Sequence, residues 1–194
     1  IKILIVEDEL IVAKSIQKIL NNLHYSVSAI VSTGEAAVRF TRKTQPDLAL
    51  IDIKLKPGMD GIEAAKKIYF QLNTPVVFLT AYADETTLRK AKLSEPFGYI
   101  LKPVEERELH TAIEMALYKS KMEKKLKERE RWVSTILKSI GDAVIATDSG
   151  GVITYMNSVA EAMTGWGHRK ALGKDLASRI NLVFDEKNCV FRRR

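Results

Sequence analysis

Cysteine is all but missing from this chain. Cys189 is the single thiol in 194 residues, which excludes an internal disulfide and a cysteine-built zinc site and fits a reducing, cytoplasmic compartment. No run of about 18 apolar residues occurs either, so no segment reads as a membrane-spanning helix. The amino end enters a strand-like run at once, without a signal-peptide pattern, and the lack of an initiator Met leads us to expect a few preceding residues. An acidic excess is lacking too, since the formal net charge is +7. Its placement argues against a nucleic-acid footprint. Residues 1–120 carry 16 Lys and Arg against 15 Asp and Glu, residues 121–140 carry 7 against 3, and residues 141–194 carry 8 against 6. A solvated helix face and the chain end at Arg192–Arg194 account for the surplus.

What the first two thirds do have is alternation of strand-like and helix-like runs, the signature of βαβ units. Strands are expected near 2–6, 26–30, 48–52, 75–79 and 97–101. Helices are expected near 9–21, 34–44, 61–71 and 84–93, with a last one from about 105. The runs LALI and VVFL are continuously apolar, as strands buried on both faces must be. Gly34, Pro57-Gly58, Pro75 and Pro96-Phe97-Gly98 punctuate the boundaries. The fold class is therefore α/β, a doubly wound, five-stranded parallel sheet.

In such a sheet the carboxyl ends of the strands share one edge, where ligands bind. Glu7-Asp8 follows ILIV, Asp52 follows LALI, Thr80 follows VVFL and Lys102 follows YIL. Each residue alone is unremarkable as a turn or cap. Together they give one edge three acids, a hydroxyl and an ammonium, which suits Mg²⁺ and a phosphoryl group. A hard divalent cation takes oxygen ligands and keeps several waters, so Asp8 is expected to ligate directly and Glu7 through water. Asp52 is the candidate nucleophile, because a carboxylate can carry a phosphoryl group as an aspartyl phosphate. Lys102, the Thr80 hydroxyl and the Ala81 N–H would serve the phosphoryl oxygens. Pro103 is a candidate for a cis peptide that aims Lys102 inward.

The stretches Ile3-Leu4-Ile5-Val6-Glu7-Asp8-Glu9, Pro46-Asp47-Leu48-Ala49-Leu50-Ile51-Asp52, Met59-Asp60-Gly61, Thr80-Ala81 and Tyr99-Ile100-Leu101-Lys102-Pro103 resemble the receiver domain of two-component response regulators. The resemblance covers residues 1–120 and implies a flavodoxin-like receiver phosphorylated on Asp52 by a sensor histidine kinase. It implies Mg²⁺ held by Glu7, Asp8, Asp52 and the backbone carbonyl of Lys54. It further implies a switch in which Thr80 moves toward the phosphoryl group and Tyr99 turns inward, remodelling the face made by the helix at 84–93, the strand at 97–101 and the helix from 105. Such domains catalyse their own phosphotransfer and dephosphorylation. Lys54 and Tyr82 occupy positions that tune phosphoryl loss in the family, and their bulk is expected to lengthen the phosphoryl lifetime.

No Pro or Gly interrupts residues 104–140, so one helix of roughly 54 Å is expected. Met115, Tyr118, Met122, Leu126, Arg129, Val133, Ile136 and Ile140 follow steps of 3, 4, 4, 3, 4, 3 and 4. That is a heptad-like seam with a stutter. It belongs either to a solvated connector or to a parallel coiled coil in a homodimer, and the seam favours the latter.

After Gly141 the grammar changes. Ala143–Thr147 and Val152–Met156 flank the turn Asp148-Ser149-Gly150-Gly151, and Asn157-Ser158 caps a short helix closed by Gly165. These residues, with Ala162-Met163-Thr164-Gly165-Trp166, resemble the amino-terminal part of a PAS sensor domain. The small α+β segment 141–194 is therefore expected to be an incomplete PAS-like domain, with its remaining strands unrecognisable after Ile180. Cys189 is not expected to bind flavin, nor His168, in a polar and solvated loop, to bind haem; Trp166 reads as packing. The overall expectation is a response regulator with a PAS-like, non-DNA-binding output. The alternative is a receiver-PAS fragment of a larger hybrid or multi-sensor histidine kinase. His24, His110 and His168 are the only histidines, and none sits in a kinase-like phosphoacceptor helix.

Overall fold

The computed structural model describes residues 1–55, 58–81, 96–176, 181–185 and 188–192. Strands β1 (Lys2–Val6), β2 (Ser26–Val31), β3 (Leu48–Asp52), β4 (Val76–Thr80) and β5 (Gly98–Leu101) form one parallel sheet in the order β2-β1-β3-β4-β5. Helices α1 (Leu10–Asn22), α2 (Gly34–Thr44), α3 (Gly61–Leu72) and α4 (Glu106–Ser139) accompany it. The helix expected at 84–93, and Tyr82, lie outside the described residues.

Strand alternation sorts the apolar side chains into two cores. Ile3, Ile5, Leu48, Leu50, Val77 and Leu79 pack with Ala13, Ile16 and Leu20 of α1 and with Leu109, Ile113 and Ala116 of α4. Leu4, Val6, Ala49, Ile51, Val76 and Phe78 face the other way, onto Ala37 of α2 and Ala65 and Ile68 of α3. A sheet covered on both faces explains why LALI and VVFL are apolar throughout. The second core's helices start on side-chain caps. The Thr33 oxygen accepts from the Ala36 N–H, and the Asp60 carboxylate accepts from the Glu63 N–H at 2.7 Å, each satisfying an otherwise orphaned donor.

The chain divides into compact units at Ile1–Lys124 and Lys125–Arg194, and α4 contributes residues to both. In the first unit the root of α4 is tied to the turn before β2. The Tyr25 hydroxyl donates to Glu114 at 2.6 Å and lies 3.1 Å from His110 Nδ1.

In the second unit β6 (Ile145–Thr147) and β7 (Ile153–Met156) form the expected hairpin, followed by α5 (Ser158–Thr164) and α6 (His168–Ala171). Asp148 Oδ1 accepts from the N–H groups of Gly150 and Val152, which makes the turn. Asn157 is the hub: its Oδ1 accepts from Val144 and Ala160, and its Nδ2 donates to the carbonyls of Leu137 and Asp142. A small core of Ile153, Met156, Ala160 and Ala171 takes in Trp166 as packing.

Two expectations are corrected here. His168 is not a solvated loop residue: it opens α6, half-buried, its ring 3.0 Å from the Met156 carbonyl and its N–H bonded to Glu161. Beyond Ile180 the chain forms an antiparallel pair, β8 (Asn181–Asp185) and β9 (Asn188–Arg192), with Cys189 in a strand. Alternation in NLVFD and NCVFR was too short to separate from charged coil in the sequence.

Candidate functional site

All five strand-end residues arrive at one edge because β1, β3, β4 and β5 run parallel and in near register. Val6 pairs with Ile51, Asp52 with Leu79 and Thr80 with Leu101. Asp8, Asp52, Thr80 and Lys102 open onto a cleft of about 660 Å³, with Lys54, Ala81, Ile11, Val12, Ser15, Pro103 and Val104 also on its walls, while Glu7 is buried beside it. Glu7, Asp8 and Asp52 each present a carboxylate oxygen within 4.8 Å of the others.

Lys102 bridges two of these acids. Its Nζ lies 2.6 Å from Glu7 Oε2 and 2.6 Å from Asp52 Oδ2. The Asp52 contact is a directed hydrogen bond; the Glu7 contact is an ion pair without hydrogen-bond geometry, which leaves Oε2 buried and not fully satisfied. Asp52 Oδ1 accepts from the Lys54 N–H at 3.0 Å, and Glu7 Oε1 from the Glu9 N–H at 3.3 Å. The Lys102-Pro103 peptide is cis. Thr80, at the end of β4, is 5% exposed, and its carbonyl accepts the Lys102 N–H.

Electrostatics separates the partners. Glu7 is 2% exposed, and burial, reinforced by the Asp52 charge, pushes its carboxyl above the ordinary range despite the opposing pull of Lys102. Burial also acts against the Lys102 charge, but the two carboxylates outweigh it and raise its pKa. A group whose folded pKa is raised contributes stability below its unfolded value, and that contribution is lost as pH climbs through the folded value. In the metal-free protein, therefore, Glu7→Gln should gain stability relative to wild type as pH rises from about 4.5. Melting the two proteins in chelator across pH checks this; a constant difference refutes it.

Tyr99 packs its ring 5.8 Å from that of Phe78, and its hydroxyl is buried with no hydrogen-bond partner among the described residues. Burial raises its pKa. The side chain thus lies turned into the second core.

The sequence reading missed the apolar rim of the cleft. Leu10 and Ile11, at the start of α1, are 66% and 86% exposed. Ile11 lies on the opposite side of the helix from the buried stripe Ala13, Ile16 and Leu20, and that off-phase apolar residue was the available signal.

Three buried or half-buried acids around a lysine at this edge agree with what known proteins show. Residues 3–114, more than half of the chain, match the family model described as the response regulator receiver domain. The chain belongs to the response regulator receiver family. Residues 132–182 match the PAS fold. The receiver resembles the transcriptional regulatory protein PdtaR of Mycobacterium tuberculosis, 31% identical over 116 residues that make up 60% of this chain and 56% of that protein. The chain thus spans about half the length of this curated relative. Among solved structures it resembles the N-terminal domain of a response regulator/sensory box/GGDEF three-domain protein from Carboxydothermus hydrogenoformans. That match is 43% identical, with TM-score 0.59, over 63% of this chain and 98% of that one. It also resembles the receiver domain of the sensor histidine kinase PA1611 of Pseudomonas aeruginosa, whose active-site cleft coordinates a magnesium ion. Identity there is 30% and TM-score 0.55, over 60% of this chain and 96% of that one. No helix among the described residues is long and apolar enough to cross a membrane.

Proposed function

We propose that this chain receives a phosphoryl group on Asp52 from a sensor histidine kinase, with Mg²⁺, and passes the signal through α4 to a PAS output that does not bind DNA. In this reading the receiver comprises residues 1–120, the linker helix 104–140 and the PAS-like segment 141–194, all in the cytoplasm. The observation that carries it is the Lys102 ammonium held at 2.6 Å from Glu7 and from Asp52 in a pocket of three carboxylates.

The residues fit a hard divalent cation: oxygen donors only, clustered, one of them buried with an oxygen short of partners. Glu7, Asp8, Asp52 and the Lys54 carbonyl would hold Mg²⁺. When bound, the ion screens the repulsion between these acids and an incoming phosphoryl group. The protein's own contribution is placement. Lys102 and the Lys54 N–H each hold one oxygen of the Asp52 carboxylate, on the wall of the cleft. As the P–O bond to Asp52 forms, the P–N bond to the donor histidine breaks and the imidazole leaves. Lys102, the Thr80 hydroxyl and the Ala81 N–H then take up the phosphoryl oxygens. Movement of Thr80 and the inward seat of Tyr99 would relay the change to β5 and α4, and output would run through a homodimer formed by α4, by the switch face that the receiver resemblance implies, or by both.

Intact-mass measurement after incubation with acetyl phosphate and Mg²⁺ tests this reading. We expect one added phosphoryl mass; no gain under conditions that phosphorylate a control receiver overturns it.

The exposed Ile11, which shares the cleft wall with Pro103 and Val104, together with its chain neighbour Leu10, suits an apolar docking rim for the kinase helix that delivers the histidine. A charge in the middle of such a patch costs on the order of tenfold or more. Ile11→Glu should therefore slow transfer from a phosphorylated kinase about tenfold while leaving labelling by acetyl phosphate unchanged. Equal slowing with both donors would remove the docking role.

A second reading makes this chain the front of a longer signalling enzyme, such as a hybrid or multi-sensor histidine kinase. The similarity to the receiver of a sensor histidine kinase supports it, and the length of the natural gene product decides it.

A further inference from the structure

Helix α4 carries two apolar faces with different fates. Leu109, Ile113 and Ala116 are 0% exposed and packed into the first core, and Ser120 is 7% exposed. Met115, Tyr118, Met122, Leu126, Val133 and Ile136 are 63%, 63%, 37%, 60%, 48% and 37% exposed. At 3.6 residues per turn the two sets lie roughly 150° apart, so the helix meets its own receiver with one face and leaves the other open. Single exposed apolar residues need no explanation, but a continuous stripe does.

The stripe obeys a heptad on each side of its stutter. Met115 and Met122 take position a and Tyr118 position d; after the stutter Leu126 and Val133 take a, and Arg129 and Ile136 take d. In a parallel pair, position g of one helix faces the next e of the other, and charges there choose partner and orientation. Here g and the following e are Glu114 and Lys119 in the first stretch and Lys125 and Glu130 in the second. Both pairs are of opposite sign. Glu114 already accepts from Tyr25, and Lys119 lies 4.9 Å over the Phe97 ring, so Lys125 and Glu130, both exposed, are the pair whose charges α4 leaves to a partner helix.

Resting on the dimeric output proposed above and sharpening it, the geometry points to a second copy of this chain as the occupant. The two α4 seams close as a parallel, in-register coiled coil in which Lys125 of each chain meets Glu130 of the other. Arg129 faces its own copy in the middle of the seam. Two like charges at a d position weaken the pair, so Arg129 holds dimerisation in a range that the receiver can tip.

Sedimentation of the full chain over a range of concentration tests this, together with oxidation of Leu126→Cys or Val133→Cys in a Cys189→Ser background. We expect Leu126→Cys and, in a separate chain, Val133→Cys each to crosslink to itself, a pair of results that only a parallel, in-register dimer permits. Arg129→Leu should tighten the dimer at least tenfold, Glu130→Lys should loosen it, and Lys125→Glu added to Glu130→Lys should restore it. A dimer without both crosslinks, or a chain that stays monomeric even as Arg129→Leu, overturns the inference. Phosphoryl mass gain measured on the same samples reports separately on Asp52: its absence sinks the phosphorylation reading and leaves the crosslinks to judge the seam.

Discussion

Asp52→Asn will abolish the gain of a phosphoryl mass from acetyl phosphate and Mg²⁺ while leaving the fold intact. The chemical loss is complete because an amide oxygen is a poor nucleophile and, among the described residues, no other carboxylate has both oxygens oriented by Lys102 and the Lys54 N–H. The structural cost is small because opposing terms nearly cancel. At an effective dielectric of about 20, Asp52 attracts Lys102 by roughly 6 kcal/mol at their 2.6 Å separation and is repelled by Glu7 and Asp8, whose oxygens lie within 4.8 Å of its own, by roughly 3 kcal/mol or more each. Removing the charge therefore loses about as much attraction as repulsion, and the amide oxygen still accepts from Lys54.

Magnesium separates the two proteins. A cation at 100 times its dissociation constant stabilises wild type by about 2.7 kcal/mol, and most of that should vanish in Asp52→Asn. Thermal melts with and without Mg²⁺ read this directly. An Asp52→Asn chain that still gains a phosphoryl mass would move the acceptor elsewhere.

Gly61→Ala is the larger structural perturbation. A Cβ at Gly61 would stand 2.0 Å from the carbonyl oxygen of Asp52 and 3.0 Å from the Ile53 Cα, both backbone atoms. The requirement is space, not a special dihedral: α3 begins against the chain that leaves the acceptor strand, and the Gly61 N–H bonds the Ile53 carbonyl. Either the start of α3 or the end of β3 must shift. We expect a stability loss of roughly 1–3 kcal/mol or more and weakened Mg²⁺ binding, since the displaced backbone carries Asp52. Gly141→Ala is the control. A Cβ there meets nothing within 4 Å, and stability should stay within about 0.5 kcal/mol. Equal denaturation midpoints for the two variants would refute the packing argument.

How much of this was legible beforehand follows the range of the physics involved. The strand ends at Glu7, Asp52, Thr80 and Lys102 could be read because each closes a local apolar run, and parallel topology then brings such ends together. Met59-Asp60-Gly61 was legible only as a family pattern. That Gly61 is there for clearance against Asp52, and that Asp60 caps α3, depends on atoms from two elements. Leu10 and Ile11 were overlooked because nothing local says which apolar residues of a helix will find a core. His168 was placed in solvent because its partners, Met156 and Glu161, come from the preceding strand and helix.

By itself the sequence determined the α/β class, the helix free of Pro and Gly, the PAS-like hairpin and the set of residues at the acidic edge. All of these rest on local periodicity and residue chemistry. Only the tertiary structure decided that Lys102 bridges Glu7 and Asp52, that burial lifts Glu7 above its ordinary range, and which face of α4 remains open. Those outcomes depend on distances of a few ångströms between segments about 50 or more residues apart, where Coulomb energy and desolvation change faster than any pattern along the chain can encode.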